Sequence, residues 1–406
     1  MNESKYDLFS TAFKRDPFTT FAQMRESAPI YANVAPNGTT TWYVTRYDDV
    51  LTVLRDNERF VKDIRNTILP EERPSSTKQK SVQQRINENM LFSDPPDHTR
   101  LRALVTLAFT PRRVEKMRDE VQKIANTLLD QAAMVGEMDL IADYALPLPV
   151  IVICQLLGIP QKDQEMVAAW SQSIISPGSR GLGYRKRKRM MRDFVAYLGE
   201  LFAQRQQQPE DDLITALVQA EAEGERLNEA ELSSMVALLL VTGHETTVNL
   251  IGNGALALMQ NREQLQLMMA NEALMDNAIE ELLRYDGPVE TSTTRWVRYD
   301  CEFMGQQLKR GDIMRVSLAS ANRDVSHFEG PDKLDITRQA NKHLAFGHGI
   351  HYCLGAPLAR LEGKIALRTL FARFPSIQLQ KTPEQLQWRS GVLFRGLESF
   401  PVSLSE

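Results

Sequence analysis

The run from Ser233 to Met259, SSMVALLLVTGHETTVNLIGNGALALM, is as long as a membrane span and nearly as apolar, yet it carries His244, Glu245, Thr246 and Asn249 near its middle. Charge at mid-depth in lipid is costly, so the run predicts a long helix buried inside a protein body. About 30 residues at 1.5 Å each would reach roughly 45 Å, enough to cross a whole enzyme. A chain organised around such a helix is mainly helical, and the polar residues at its centre mark a functional site. Gly243 weakens the helix there and Thr246 can bond a carbonyl one turn back, so a local groove or kink is expected.

A second apolar stretch, YALPLPVIVICQLLGIP from Tyr144 to Pro160, contains internal prolines and a glutamine. It is shorter than the roughly 20 residues a span needs, and reads as a buried helix. The first residues, MNESKYDLFSTAFKRDPF, lack a basic start followed by an apolar core, which predicts neither signal peptide nor membrane anchor and a cytoplasmic protein. A formal net charge of −4 supplies no global positive field for nucleic acid or an anionic membrane.

Apolar residues recur at helical spacing in KMRDEVQKIANTLLDQ from Lys116, KRKRMMRDFVAYLGELFAQR from Lys186 and EQLQLMMANEALMDNAIEELLRY from Glu263. Strand-like segments are short and fall in TTWYVTRYDDVL near residue 40 and RWVRYDCEFMGQQLKRGDIMRVSLAS from Arg295. With no repeat and no Gly/Ser- or Pro-rich linker, residues 1–406 are expected to form one domain, a large helical lobe beside a smaller β-rich one. The polar stretch Asp63 to Glu88 and the segment PGSRGLGYRKRK from Pro177 are the expected mobile loops and candidate lids.

Only Cys154, Cys301 and Cys353 occur, too few and too scattered for a disulfide framework. Cys353 sits in FGHGIHYCLG, just before the amphipathic segment APLARLEGKIALRTLFARF. A helix N-terminus and nearby backbone N–H groups stabilise a thiolate, and glycines at 347, 349 and 355 allow the backbone to approach a flat ligand closely. Two other readings compete: an inert buried cysteine in a glycine loop, and a zinc site using His348, His351 and Cys353, whose spacing matches no standard four-ligand pattern.

FGHGIHYCLG resembles the haem-binding signature FGxGxHxCxG of cytochrome P450s at every fixed position. The resemblance implies the cytochrome P450 fold, haem b (iron protoporphyrin IX) as cofactor, Cys353 as axial ligand to the iron, and Phe346, Gly347 and Gly355 against the haem. Other motifs follow in the family's order. Glu281-Leu-Leu-Arg284 is similar to its ExxR pair, with Asn322-Arg323-Asp324, Phe328-Glu329-Gly330-Pro331, Asp335 and Arg338 resembling the meander that supplies the third member. Thr242-Gly243-His244-Glu245-Thr246 resembles (A/G)Gx(D/E)T, in which the acid and alcohol, here Glu245 and Thr246, pass protons to bound oxygen, and Gly243 lies near the haem. Thr242 departs from that pattern, and would narrow the pocket or add a hydroxyl to it.

The resemblance further assigns the haem propionates to His98 and Arg102 of an HxxxR element, to Arg295 and to His351. Met90, Leu91, Leu239, Leu240, Val289, Leu393 and Phe394 fall, with Thr242, at substrate-lining positions. Their apolar character favours a lipophilic substrate such as a fatty acid, terpenoid, steroid or macrolide, and MLFSDPPDH and GHETTVNLI look closest to the macrolide- and fatty-acid-oxidising branch. No nucleotide fingerprint follows a strand and no iron–sulfur pattern occurs. Electrons are therefore expected from a ferredoxin or flavodoxin with its NAD(P)H reductase, docking on Arg100, Arg112, Arg113, Arg360 and Lys364. The expected reaction is O2-dependent hydroxylation. A peroxide-driven peroxygenase, which Glu245 and Thr246 argue against, and a non-catalytic haem-binding module are the alternatives.

Overall fold

A computed structural model describes residues 5–35, 37–72, 81–175 and 183–404. The chain divides into two compact units, residues 1–71, 125–146 and 246–406 in one and residues 72–124 and 147–245 in the other. The long helix runs from Glu229 to Gln260 without a 3-10 or π interruption, and the division falls along it between Glu245 and Thr246.

The second unit is built of helices, among them Asp97–Ala108, Pro147–Leu157 and Tyr184–Gln207. Pro147–Leu157 buries Leu148, Val152, Ile153, Cys154, Leu156 and Leu157, so the apolar stretch from Tyr144 is a core helix. Of the expected mobile loops, residues 73–80 and 176–182 lie outside the described residues. Of the described remainder, Val82–Ile86 is a short helix closed by a capping box from Ser81 and Gln84, and RKRK from Arg185 belongs to the 24-residue helix Tyr184–Gln207.

All ten strands among the described residues belong to the first unit: β1 Ile30–Val34, β2 Thr40–Val44, β3 Phe60–Val61, β4 Glu137–Asp139, β5 Arg295–Val297, β6 Cys301–Phe303, β7 Gln306–Leu308, β8 Ile313–Val316, β9 Gln378–Leu379 and β10 Pro401–Ser403. The main sheet has the order β1-β2-β8-β5-β3, with β2 and β8 parallel (Thr41 opposite Ile313, Val44 opposite Val316) and its other neighbours antiparallel. A smaller sheet, β4-β10-β9, and the β6-β7 hairpin complete the set. Val44, Val50, Val53, Phe60, Val297, Met314 and Val316 form one core, each fully or almost fully buried.

Two elements differ from the sequence expectation. TTWYVTRYDDVL is a strand only through Val44; Tyr47–Arg55 is a helix that places Asp48 and Asp49 in its first turn, where the helix dipole favours them, and buries Tyr47, Val50, Val53 and Leu54 along one face. The segment from Glu263 is two helices, Arg262–Ala270 and Met275–Asp286, because the Asn271 side chain accepts from the Ala273 N–H and opens a separate 3-10 turn.

Met275–Asp286 carries a buried ionic cluster. Arg284 donates twice to Glu281, at 2.8 Å to each oxygen, and also donates to the carbonyls of Asn322, Pro331 and Lys333. Glu281 further accepts from Arg338 Nε at 3.1 Å, the Asn341 amide at 3.1 Å and the Asp335 backbone N–H at 2.9 Å. The side chains of Glu281 and Arg284 have no solvent exposure, so this is a closed network in which each charge is met by several partners. Removing one member of such a pair strands the other charge. Glu281→Gln or Arg284→Leu is expected to cost about 3–5 kcal/mol, read as a lower denaturant midpoint, whereas a loss under about 1 kcal/mol would place the pair at the level of a surface ion pair.

Candidate active site

The cysteine loop is held from both ends by its own backbone. The Gly347 N–H donates to Leu344 O at 2.8 Å, the Tyr352 N–H to Gly349 O at 3.0 Å, and the Cys353 N–H to Phe346 O at 3.0 Å. Gly347 and Gly349 have φ of +70° and +75°, the left-handed region that glycine adopts at little cost. At Gly349 a β-carbon would also meet Leu54 O at 2.9 Å, so the position excludes side chains twice over. Beyond the loop runs the helix Ala356–Arg373, with Pro357 in its first turn.

Cys353 is the only exposed cysteine. Cys154 is buried, which pushes its thiol up to about 12, and Cys301 is half-buried on β6 with its thiol also raised by burial. Neither of those is suited to ligate as a thiolate, while Cys353 lies exposed at a helix start, its sulfur 3.9 Å from where a Gly355 β-carbon would lie. This donor set fits a haem-thiolate site. It does not fit zinc: no three His, Cys, Asp or Glu side chains gather as a metal cage among the described residues, and His348 Nε2 accepts from Arg55 Nε at 3.0 Å.

A clamp that sequence reasoning missed secures the loop. Arg360, seven residues past Cys353 on the helix Ala356–Arg373, donates to both oxygens of Glu280, at 2.6 and 2.8 Å, while His343 bonds the same carboxylate at 3.2 Å. The Arg360 guanidinium lies 4.5 Å from the Phe346 ring centre. The carboxyl of Glu280 is held down to about 2: burial raises it, but the Arg360 and His343 hydrogen bonds and charges outweigh that. The consecutive Glu280 and Glu281, the second used by the ExxR pair, were the available signal.

The remaining predicted residues divide between the units. In the second unit, His98 is buried and Arg102 half-buried, at i and i+4 on one face of Asp97–Ala108. Met90 is buried and Leu91 half-buried in the turn Met90–Phe92, next to Glu88, whose carbonyl accepts from Ser234 on the long helix at 2.7 Å. Leu239, Leu240 and Glu245 are buried on that helix. Thr242 turns its hydroxyl back to Leu238 O at 2.8 Å, which satisfies it within the helix. At Gly243 a β-carbon would touch Ile153 of the helix Pro147–Leu157 at 3.0 Å, so close packing against that helix favours glycine there.

In the first unit, Thr246 is half-buried, and Arg295 is buried on β5, donating to Phe60 O at 3.1 Å, Leu54 O at 3.3 Å and Asn57 Oδ1 at 3.3 Å. His351 closes the turn Gly349–His351. Val289 pairs with Phe394 across an isolated bridge and the Glu290 N–H donates to Leu393 O at 2.9 Å, so three predicted pocket residues are brought together. The predicted docking cations are mostly engaged: Arg100 with Glu231, Arg113 with Asp211, Arg360 with Glu280 and Lys364 with Asp276, leaving Arg112 exposed.

The description "Cytochrome P450" belongs to the family model that matches residues 180–396. The polyketide biosynthesis cytochrome P450 PksS of Bacillus subtilis (strain 168) is 43% identical over 97% of this chain and 97% of its own length. Its solved structure superposes with a TM-score of 0.91 at 41% identity, covering 99% of this chain and 100% of that one. The cytochrome P450 monooxygenase PikC of Streptomyces venezuelae is 42% identical over 96% of this chain and 91% of its own length. P450BioI, solved in complex with an acyl carrier protein ligated to hexadec-9Z-enoic acid, gives a TM-score of 0.85 at 37% identity over 97% of this chain and 100% of that one. The chain belongs to the cytochrome P450 family, on its bacterial macrolide- and fatty-acid-oxidising branch. It has the P450 fold, haem iron as its cofactor, and the activity class of a haem-thiolate monooxygenase.

One titratable group on the cysteine helix stands apart. Glu362 is fully buried and neither of its oxygens has a hydrogen-bond partner. Burial alone pushes its carboxyl well above the usual carboxylate range. In the unfolded chain it ionises near the ordinary value of about 4.3. Its contribution to stability is therefore fully present below that pH and is lost as pH rises toward the folded value. Glu362→Gln cannot ionise, so its thermal midpoint should gain on the parent progressively as pH rises above about 4; a gain independent of pH would contradict the assignment.

Proposed function

We propose that this P450 inserts one atom of O2 into a lipophilic fatty-acyl or polyketide-like molecule, by hydroxylation or epoxidation, with electrons from a separate ferredoxin or flavodoxin and its NAD(P)H reductase. The observation that carries this reading is the single exposed cysteine, Cys353, set in a glycine loop pinned at 344, 346 and 349 before an 18-residue helix. Haem bound there supplies oxygen activation and insertion of one oxygen atom.

The protein's own residues bind and orient. Cys353 provides the thiolate, which the adjoining helix N-terminus stabilises. Phe346, Gly347, Gly355 and Gly243 contribute the haem-facing surface. His98, Arg102, Arg295 and His351 donate to the propionates, whose charge would be costly if buried unpaired. Glu245 and Thr246 hold and pass the protons that oxygen reduction consumes. Met90, Leu91, Leu239, Leu240, Thr242, Val289, Leu393 and Phe394 line the substrate pocket and exclude water. The fatty-acyl and polyketide class is supported by those apolar side chains and by what PksS and P450BioI are named for. The acid–alcohol pair favours O2 over peroxide as oxidant, and a cytoplasmic location accords with electron supply by small soluble carriers.

The reduced, CO-treated protein is expected to show the strongly red-shifted Soret band of thiolate ligation, lost in Cys353→His; absence of the band, or its survival in that variant, would overturn the ligand assignment. Thr246→Ala is expected to retain the CO band but to divert electrons from product to peroxide, measured as NAD(P)H consumed against product formed. Full coupling in Thr246→Ala would remove this hydroxyl from the proton path.

A further inference from the structure

Lys14 and Glu290 are 276 residues apart and almost wholly inaccessible, their side chains 4% and 1% exposed. Lys14 Nζ donates to Glu290 Oε2 at 2.6 Å and to Phe394 O at 3.2 Å. A buried ammonium on a five-residue N-terminal helix thus bridges two separate strips of chain, one carrying Val289 and the other Phe394. The strips are joined by further bonds: Glu290 N–H to Leu393 O at 2.9 Å, Arg395 N–H to Pro288 O at 3.0 Å and Thr291 Oγ1 to Val392 O at 2.8 Å.

Arg395 completes the bracket. It donates to Asp286 at 2.5 Å and to the Lys14 carbonyl at 2.7 Å, and its guanidinium stacks 3.7 Å from the centre of the Trp388 ring. The N-terminal helix is itself fixed by Phe13, whose ring meets Phe21 edge-on at 5.4 Å within a core of Tyr6, Leu8, Met24 and Tyr43. Enclosing two opposite charges costs desolvation that an apolar pair would avoid, so their return here is geometric, since an ammonium bonded to a carboxylate and a carbonyl sets the separation of the groups it joins.

We propose that Lys14 is a positioning residue for substrate recognition: through Glu290 and the Phe394 carbonyl it sets the spacing between Val289 and Phe394, and hence the size of ligand that the wall accepts. The proposal rests on the reading of Val289 and Phe394 as pocket residues.

The test uses haem-loaded protein and two iron-coordinating probes, imidazole, which is too small to need the wall, and 4-phenylimidazole, which reaches it. Lys14→Met/Glu290→Met removes both charges and keeps side-chain bulk, so that the fold persists. It is expected to leave the imidazole Kd within about twofold and to shift the 4-phenylimidazole Kd by at least about fivefold, while Lys14→Arg, which keeps the charge, stays within about twofold for both. An unchanged 4-phenylimidazole Kd in the double variant, or equal shifts for both probes, would overturn the positioning role. If the double variant fails to load haem, Glu290→Asp, which draws the carboxylate back by one methylene, is judged by the same pair of constants. Val289→Ala and Phe394→Ala separate the two failures: if neither alters 4-phenylimidazole binding, the pocket assignment falls, and if they do while the charge variants do not, only the role of Lys14 falls.

Discussion

The carboxylate of Glu281 is the point on which the first unit depends. It lies without solvent exposure and gathers two arginines, an asparagine amide and a backbone N–H, drawn from residues 284, 335, 338 and 341. Arg284 in turn holds the carbonyls of 322, 331 and 333. Between them these two side chains fix an irregular stretch of about 20 residues that has little regular secondary structure of its own and leads directly into the cysteine loop. An irregular segment placed this way needs its backbone polar groups met by side chains, and a charge-assisted network meets them with defined geometry.

The neighbouring glutamate extends the arrangement to the loop itself. Glu280 bonds Arg360 and His343, which flank Cys353 in sequence on either side, and Arg360 covers Phe346. Two consecutive residues of one helix therefore anchor the segment before the loop and the helix after it. Cys353 is exposed while its backbone N–H is held by the Phe346 carbonyl.

Much of the site could be read from the sequence because its signals are local. The loop FGHGIHYCLG, the ExxR pair and the interrupted apolar run each declare themselves within about ten residues, since glycine φ angles, an i,i+3 ion pair and helix periodicity are short-range properties. What escaped notice was non-local or competitive. Nothing near Lys14 points to residue 290, and nothing near Arg360 points to 280. Asn249 occupies the space above Gly396, where a β-carbon would fall 1.9 Å from its oxygen, a constraint visible only in three dimensions. At Asn271 a side-chain to backbone bond defeated an otherwise unbroken helical pattern, and at Gly243 the residue that limits the space, Ile153, comes from another helix.

The proposed chemistry depends on the Cys353 sulfur binding the haem iron. Iron K-edge X-ray absorption of the purified holoprotein addresses this most directly, because it reports the atoms in the metal's first shell. One sulfur scatterer beside the porphyrin nitrogens, replaced by oxygen or nitrogen in Cys353→Ser, is the predicted result. A first shell without sulfur in the parent protein, or a sulfur that persists in Cys353→Ser, would contradict the account.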